Sequence, residues 1–234
     1  QQGGYYFANT LATPAPSHPT FDWIDISSTG TNAYPEMTND DGYAPNNATG
    51  YPIGFSFPYF GSSFSSFWIG ADGSIYLSRP TLPLPMGQPP SNAIALFASD
   101  FFPTSANYPK TILYQNIDSK LVVTYLKAQP KTGASESSYA TFQVVLFPTG
   151  KFKIQLLEFG PTFQTMMGSV YIVNSNATAF HMYAYGGQAG PVSGTSPIAV
   201  AYGQNAYMLG DTPAQNDLPV SVSGTGSASF PITG

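Results

Sequence analysis

Glycine or proline interrupts nearly every stretch of this chain, with 23 Gly and 22 Pro spread over 234 residues. No long window carries apolar residues at i, i+3, i+4 and i+7, so the pattern of an amphipathic helix is absent. What lies between the breakers is short and alternating. Lys151-Phe152-Lys153-Ile154-Gln155-Leu156 places Phe152, Ile154 and Leu156 on one face of a strand and the lysines on the other. This run follows a β-rich segment, 140–147, across Pro148-Thr149-Gly150, a hairpin turn whose glycine supplies a positive φ. Two more hairpins are expected, 111–116 with 120–126 across Ile117-Asp118-Ser119, and 66–70 with 74–77 through Ala71-Asp72-Gly73. Further strands are expected at 23–27, 53–57, 93–97, 169–174, 179–184, 198–202 and 206–209. Many short strands separated by turn residues predict an all-β protein. The expected fold is an antiparallel β-sandwich of the jelly-roll or immunoglobulin-like class, with extended terminal strands.

The two ends differ from the rest. Residues 1–12 put Tyr5, Phe7 and Leu11 on one alternate face, and the run 13–19 that follows, with Pro14, Pro16 and Pro19, reads as a stiff extended tether. At the other end the segment 218–232 alternates over an unusual length, with Val220, Val222, Ala228, Phe230 and Ile232 on one face and Ser or Thr on the other. Chain ends fray unless something ties them down, so both are expected to dock, on their own domain or on a neighbour. The chain therefore divides into a terminal strand and tether, 1–19, and a sandwich head, 20–234.

The surface must be built with few charges. Only 8% of residues are Asp, Glu, Lys or Arg, where about 25% is usual. No apolar run approaches the roughly 20 residues that span a bilayer, so no membrane span is expected. The formal net charge is −5, with seven basic residues, of which only Lys151 and Lys153 lie close together on one strand face. Nucleic acid is thereby excluded as a partner, because its phosphates require a basic footprint. The absence of cysteine removes disulfides, zinc–thiolate sites and thiol nucleophiles together. The start at Gln1-Gln2-Gly3-Gly4 reads as a mature protein after signal-peptide removal, which places it outside the cell or on its surface. Two sequons, at Asn47 and Asn176, are compatible with export and N-glycosylation.

One region carries a family resemblance. Ile53-Gly54-Phe55-Ser56-Phe57-Pro58-Tyr59-Phe60-Gly61 leads through Phe64 into Trp68-Ile69-Gly70-Ala71-Asp72-Gly73-Ser74-Ile75-Tyr76-Leu77. Farther on stand Asn92-Ala93-Ile94-Ala95-Leu96-Phe97-Ala98-Ser99-Asp100 and Thr141-Phe142-Gln143-Val144-Val145-Leu146-Phe147, with Gly150 and Phe152. Over roughly residues 20–175 this resembles the extracellular β-domain of nidogens and of many bacterial and archaeal surface proteins, which leaves 176–234 as additional strands. Asp72 stands where the family pattern has Asn, and Ala98-Ser99 occupy its Pro-adjacent Trp position. The resemblance implies an extracellular scaffold or adhesion module and brings no catalytic residues with it. In general character (exported, low in charge, aromatic, with a tethered terminal strand) the chain also resembles archaeal surface filament subunits such as threads and bundling pili.

Catalytic signatures are sparse, with no His-Glu-x-x-His, Gly-x-Ser-x-Gly or Gly-rich phosphate loop. No catalytic residue, cofactor or metal is expected. His18 and His181 read as surface or packing residues. Asp22, Asp25, Asp40, Asp41, Asp72 and Asp100 contain the raw material for a glycosidase pair, but Asp72 and Asp40-Asp41-Gly42 read as turns. Asn39-Asp40-Asp41 offers hard oxygen ligands without the spacing of an EF-hand. Trp23, Trp68 and Tyr5-Tyr6 are candidates for stacking on sugar rings, Trp68 being better explained by packing.

The terminal segments point to a sharper function. A strand from one chain can complete the exposed sheet edge of another. Tyr5, Phe7 and Leu11 are the expected anchors, with Pro14, Pro16 and Pro19 holding the tether. Residues 218–232 are the alternative donor, and both segments serving as edge strands of their own sandwich is the plain reading. The expectation is a homopolymer, a head-to-tail extracellular filament serving adhesion or cell–cell contact, with cell-surface glycans as further partners. A monomeric carbohydrate- or matrix-binding module is the alternative.

A fold with few ionised groups has few native ion pairs for acid to break. Unfolding curves at about pH 2 and about pH 7 are expected to show similar stability, and a large loss at the lower pH would overturn that expectation. A glycosylated or densely packed surface would account for the low charge equally well.

Overall fold

The three expected hairpins form, each on the turn chemistry its residues allow. In the computed structural model, which describes residues 5–9, 19–37, 41–81, 90–101, 111–131, 135, 137–163, 168–176, 180–184 and 198–203, the strands in chain order are as follows. They are β1 (Tyr6–Asn9), β2 (Thr31–Asn32), β3 (Tyr43–Ala44), β4 (Tyr51–Tyr59), β5 (Ser62–Gly70), β6 (Ser74–Tyr76) and β7 (Ala93–Ala98), then β8 (Thr111–Ile117), β9 (Lys120–Ala128), β10 (Ala140–Leu146), β11 (Phe152–Phe159), β12 (Ser169–Val173), β13 (Phe180–Ala184) and β14 (Ile198–Gly203). One 3-10 turn, Tyr34–Glu36, is the helical element among the described residues, and no helix there is long and apolar enough to cross a membrane. Asp118 and Ser119 both take left-handed φ (48° and 59°), so β8 and β9 close through a two-residue turn whose twist matches the strands. Gly73 (φ 77°) turns β5 into β6, and a Cβ there would run into the Phe97 carbonyl oxygen, so the position excludes a side chain on two counts.

The strands form two antiparallel sheets. The first runs β1-β14-β11-β10-β9-β8-β2, and the second runs β13-β12-β7-β6-β5-β3, with β4 also paired to β5. The protein is an all-β sandwich. Alternation chooses the inward faces: Phe152, Ile154 and Leu156 of β11 and Phe142, Val144 and Leu146 of β10 join Phe57, Phe67, Ile69, Ile94 and Leu96 from the other sheet in one buried layer.

Two tyrosines stitch that layer. The hydroxyl of Tyr125 on β9 reaches the carbonyls of Gly70 (2.6 Å) and Ser74 (3.0 Å) in the opposite sheet, at the β5–β6 turn. The hydroxyl of Tyr59 reaches the Ala93 carbonyl (2.8 Å) and accepts from the Val173 N–H (3.2 Å). Both side chains are fully buried, so the hydroxyls satisfy backbone groups that water cannot reach.

The outer face of the first sheet departs from expectation. Residues 23–27 are not a strand. Instead the segment 19–26 straps across β10 and β11, held by side chains. Gln155 accepts from the Asp22 N–H (2.6 Å) and donates to its carbonyl (2.7 Å), and Gln143 does the same for Ile24 (3.1 Å each way). Gln155 also donates to Gln143 (2.9 Å), which donates to Thr124 (3.2 Å). An amide side chain has one donor end and one acceptor end, so each glutamine pairs a residue's backbone as a neighbouring strand would. Ile26 completes the cover by packing on Leu113, Val122 and Val145. Lys151 and Lys153, expected on the face opposite Phe152, Ile154 and Leu156, are consequently buried (5% and 4% exposed).

Replacing Gln155 by Leu leaves the Asp22 N–H and carbonyl and one acceptor of Gln143 without partners. The expected loss is about 2 kcal/mol, read as a lower urea midpoint at unchanged m-value, and a loss below about 0.5 kcal/mol would contradict the role of the ladder. A second expectation concerns alkali. Burial raises the phenol pKa of Tyr59 and Tyr125 well above the ordinary 10.0. The unfolded chain therefore releases these protons first, so stability is full below about pH 10 and falls as pH rises beyond it. Tyrosinate absorbance from these buried rings is expected to appear together with the loss of β circular dichroism. Full tyrosine titration in a chain that still folds would contradict it.

Candidate functional site: the seat of the N-terminal strand

β1 is the outermost strand of the first sheet. It pairs antiparallel with β14 in the register Tyr6 to Gly203, Phe7 to Tyr202, Ala8 to Ala201 and Asn9 to Val200. On its other side β14 pairs with β11, so β1 supplies the partners on the other edge for residues 200–203 of β14. Just before β1, Tyr5 is fully buried in the layer between the sheets. Its ring centroid lies 4.7 Å from Phe60, 5.6 Å from Tyr59 and 6.0 Å from Phe152. Phe152 in turn stacks on Tyr202 at 5.0 Å and 10°. The seat therefore combines a backbone edge and an aromatic socket, the two components of strand addition.

The socket has an unusual wall. β4 and β5 are joined by Phe60 and Gly61 with φ of 46° and 79°. A bulky aromatic at left-handed φ is strained and persists only where its surroundings hold it. Phe60 is held edge-on against Tyr59 (4.8 Å, 86°) and tilted against Tyr5 (4.7 Å, 55°). The Tyr-Phe-Gly end of the aromatic motif thus builds one side of the place where Tyr5 sits.

Of the other expected anchors, Phe7 is placed in register on β1, while Leu11 lies outside the described residues. So do Pro14 and Pro16, whereas Pro19 is buried at the start of the strap. The alternative donor residues Val220, Val222, Ala228, Phe230 and Ile232 also lie outside the described residues. Both sequon asparagines are exposed in turns. Asn47 accepts from the Thr49 and Gly50 N–H groups (2.9 Å each), and Asn176 accepts from the Ser175 hydroxyl (3.0 Å). Trp68 is 5% exposed and packs with Tyr43, Tyr76 and Val173, so packing accounts for it. Trp23 is half-buried on the strap, stacked 6.3 Å from Phe21. His181 lies on β13, and His18, Asn39 and Asp40 are outside the described residues.

The acidic candidates separate. Asp22 belongs to the strap, and Asp25 lies in an exposed turn where the Ser27 N–H and hydroxyl lower its pKa. Asp41, Asp72 and Asp100, which the sequence spreads over 60 residues, have carboxylate oxygens within 4.8 Å of one another. Such a trio has the hard-oxygen chemistry of a Ca²⁺ or Mg²⁺ ligand set. Part of it is already engaged, since Asp72 accepts from the Phe101 N–H (3.1 Å) and Asp100 faces Lys131 at 3.8 Å.

The sequence singled out Tyr5 as an aromatic of the terminal strand, and not the socket in which it sits. The signal was present in Tyr59-Phe60-Gly61, a two-residue hairpin turn with an aromatic where glycine or asparagine is usual.

Residues 13–207 match the family model described as NIDO related. No curated protein and no solved structure matches the chain. The matched residues include β2 to β14 and leave β1 outside. The chain belongs to the NIDO-related family, and its two-sheet sandwich is an extracellular-type β-domain.

Proposed function

We propose that this protein is a structural subunit of an extracellular filament, in which β1 of one copy occupies the β14 edge and aromatic socket of the next. The observation that carries the reading is the fully buried Tyr5. A short strand outside the residues the family model matches follows a core side chain and supplies four residues of edge pairing. An element attached by a proline-bearing connection can make these contacts within its own chain or with a neighbour. Exchange keeps every hydrogen bond and ring contact and changes only which copy provides them, the condition under which strand swapping costs little. The contact is heterologous, so repetition without closure produces a fibre. The role is adhesion or cell–cell contact, without catalysis. The monomeric sugar- or matrix-binding module is the rival reading.

Negative-stain electron microscopy of the native protein at several concentrations is expected to show long uniform fibres. Deleting residues 1–12 is expected to abolish them and leave soluble monomers of lower stability. Tyr5→Ala is expected to cost about 3 kcal/mol, with a midpoint that depends on protein concentration because the strand is supplied in trans. Discrete particles at every concentration, or fibres that survive the deletion, would overturn the proposal.

A further inference from the structure

Seven basic residues serve the whole chain, and three of them meet at one cleft. It lies on the outer face of the first sheet, between the strap and the strands, and has a volume of about 320 Å³. Lys120 from the start of β9, Lys151 from the β10–β11 turn and Lys153 from β11 line it together with Phe147, Thr149 and the strap's Asp22. The Nζ atoms of Lys120 and Lys151 both lie over the Phe147 ring, 5.9 and 5.6 Å from its centroid. Lys153 donates to the Thr20 carbonyl (3.2 Å).

This arrangement goes against the chain's own economy of charge. Burying an ammonium is unfavourable, and placing two on one strand face two residues apart adds repulsion. Here that happens on a protein whose net charge is −5, and the described residues that line the cleft include three lysines and one carboxylate. Local rules are most often broken where a site is built. A concave site in which one sign of charge predominates focuses field on whatever enters it.

We infer that this cleft binds an acidic saccharide, a sugar ring carrying a carboxylate or sulfate group. The lysines would hold the anion. The faces of Phe147 and Pro148 suit the C–H face of a pyranose, and the hydroxyls of Thr20 and Thr149 suit its polar rim. The volume is at the small end of ligand sites, which fits one or two rings and not an extended chain. A nucleic acid would need a continuous basic track, which seven basic residues on a chain of net charge −5 do not provide. The inference does not rest on strand exchange. Assembly is read by microscopy and binding by titration, so either can fail without the other.

The test is calorimetric titration of the full chain with trigalacturonate, with a sulfated disaccharide, with neutral maltotriose and with inorganic sulfate, alongside amide shift mapping. Binding of at least one acidic sugar is expected, with shifts centred on Phe147 and Thr149, and weakening as salt rises from about 0.05 to about 0.3 M. Lys120→Gln, a half-buried position at the rim, is expected to weaken it about fivefold or more, while the control Lys127→Gln, a lysine over Tyr139 outside the cleft, leaves it unchanged. The preferred acidic sugar identifies the anion as carboxylate or sulfate. No binding, equal binding of maltotriose or of inorganic sulfate, shifts centred elsewhere, or an unchanged affinity in Lys120→Gln would each overturn the inference.

Discussion

The interior of this low-charge sandwich is tied together by two tyrosines buried without stranding their hydroxyls. Tyr59 and Tyr125 show how this is done. Each sends a fully buried ring into the layer between the sheets and ends on buried backbone groups. Tyr125 crosses from the first sheet to the β5–β6 turn of the second, and Tyr59 joins β7 to β12. The rings contribute apolar area and the hydroxyls contribute position, because a hydrogen bond in a low-dielectric interior tolerates little displacement. The aromatic contacts around Phe97, Phe101, Phe142 and Phe163 extend the same layer toward its other end.

Tyr5 extends that layer to the edge of the sandwich. It enters between Tyr59, Phe60 and Phe152, so a residue at the chain's beginning completes packing that begins in the middle of the sequence. The NIDO-related match leaves β1 aside, and the left-handed Phe60 is the strained residue that receives its neighbour.

The outer face of the first sheet follows a different rule. There the sheet is covered by a strap without strand structure, held through Gln143 and Gln155. These glutamines are fully buried, and each engages both backbone groups of one strap residue. A polar face that reads as solvent-exposed becomes a second interior, and the lysines beside it become the lining of a cleft.

Much of this was legible in the sequence because it is local. Alternation over a few residues determined the inward faces of β10 and β11, and turn residues determined where β5, β8 and β10 reverse, since strand period and backbone φ depend on near neighbours alone. The aromatic motif around Tyr59 likewise pointed to the family. The tertiary structure alone decided the rest. It turned residues 23–27 into part of a strap, since the groups that bind the strap lie 119 and 133 residues away. It also buried Lys151 and Lys153, brought Lys120 beside them, gathered Asp41, Asp72 and Asp100, and gave Tyr5 its socket. Periodicity says which way a side chain points but not what arrives to cover it, and covering is a property of chain segments that meet only when the sandwich closes.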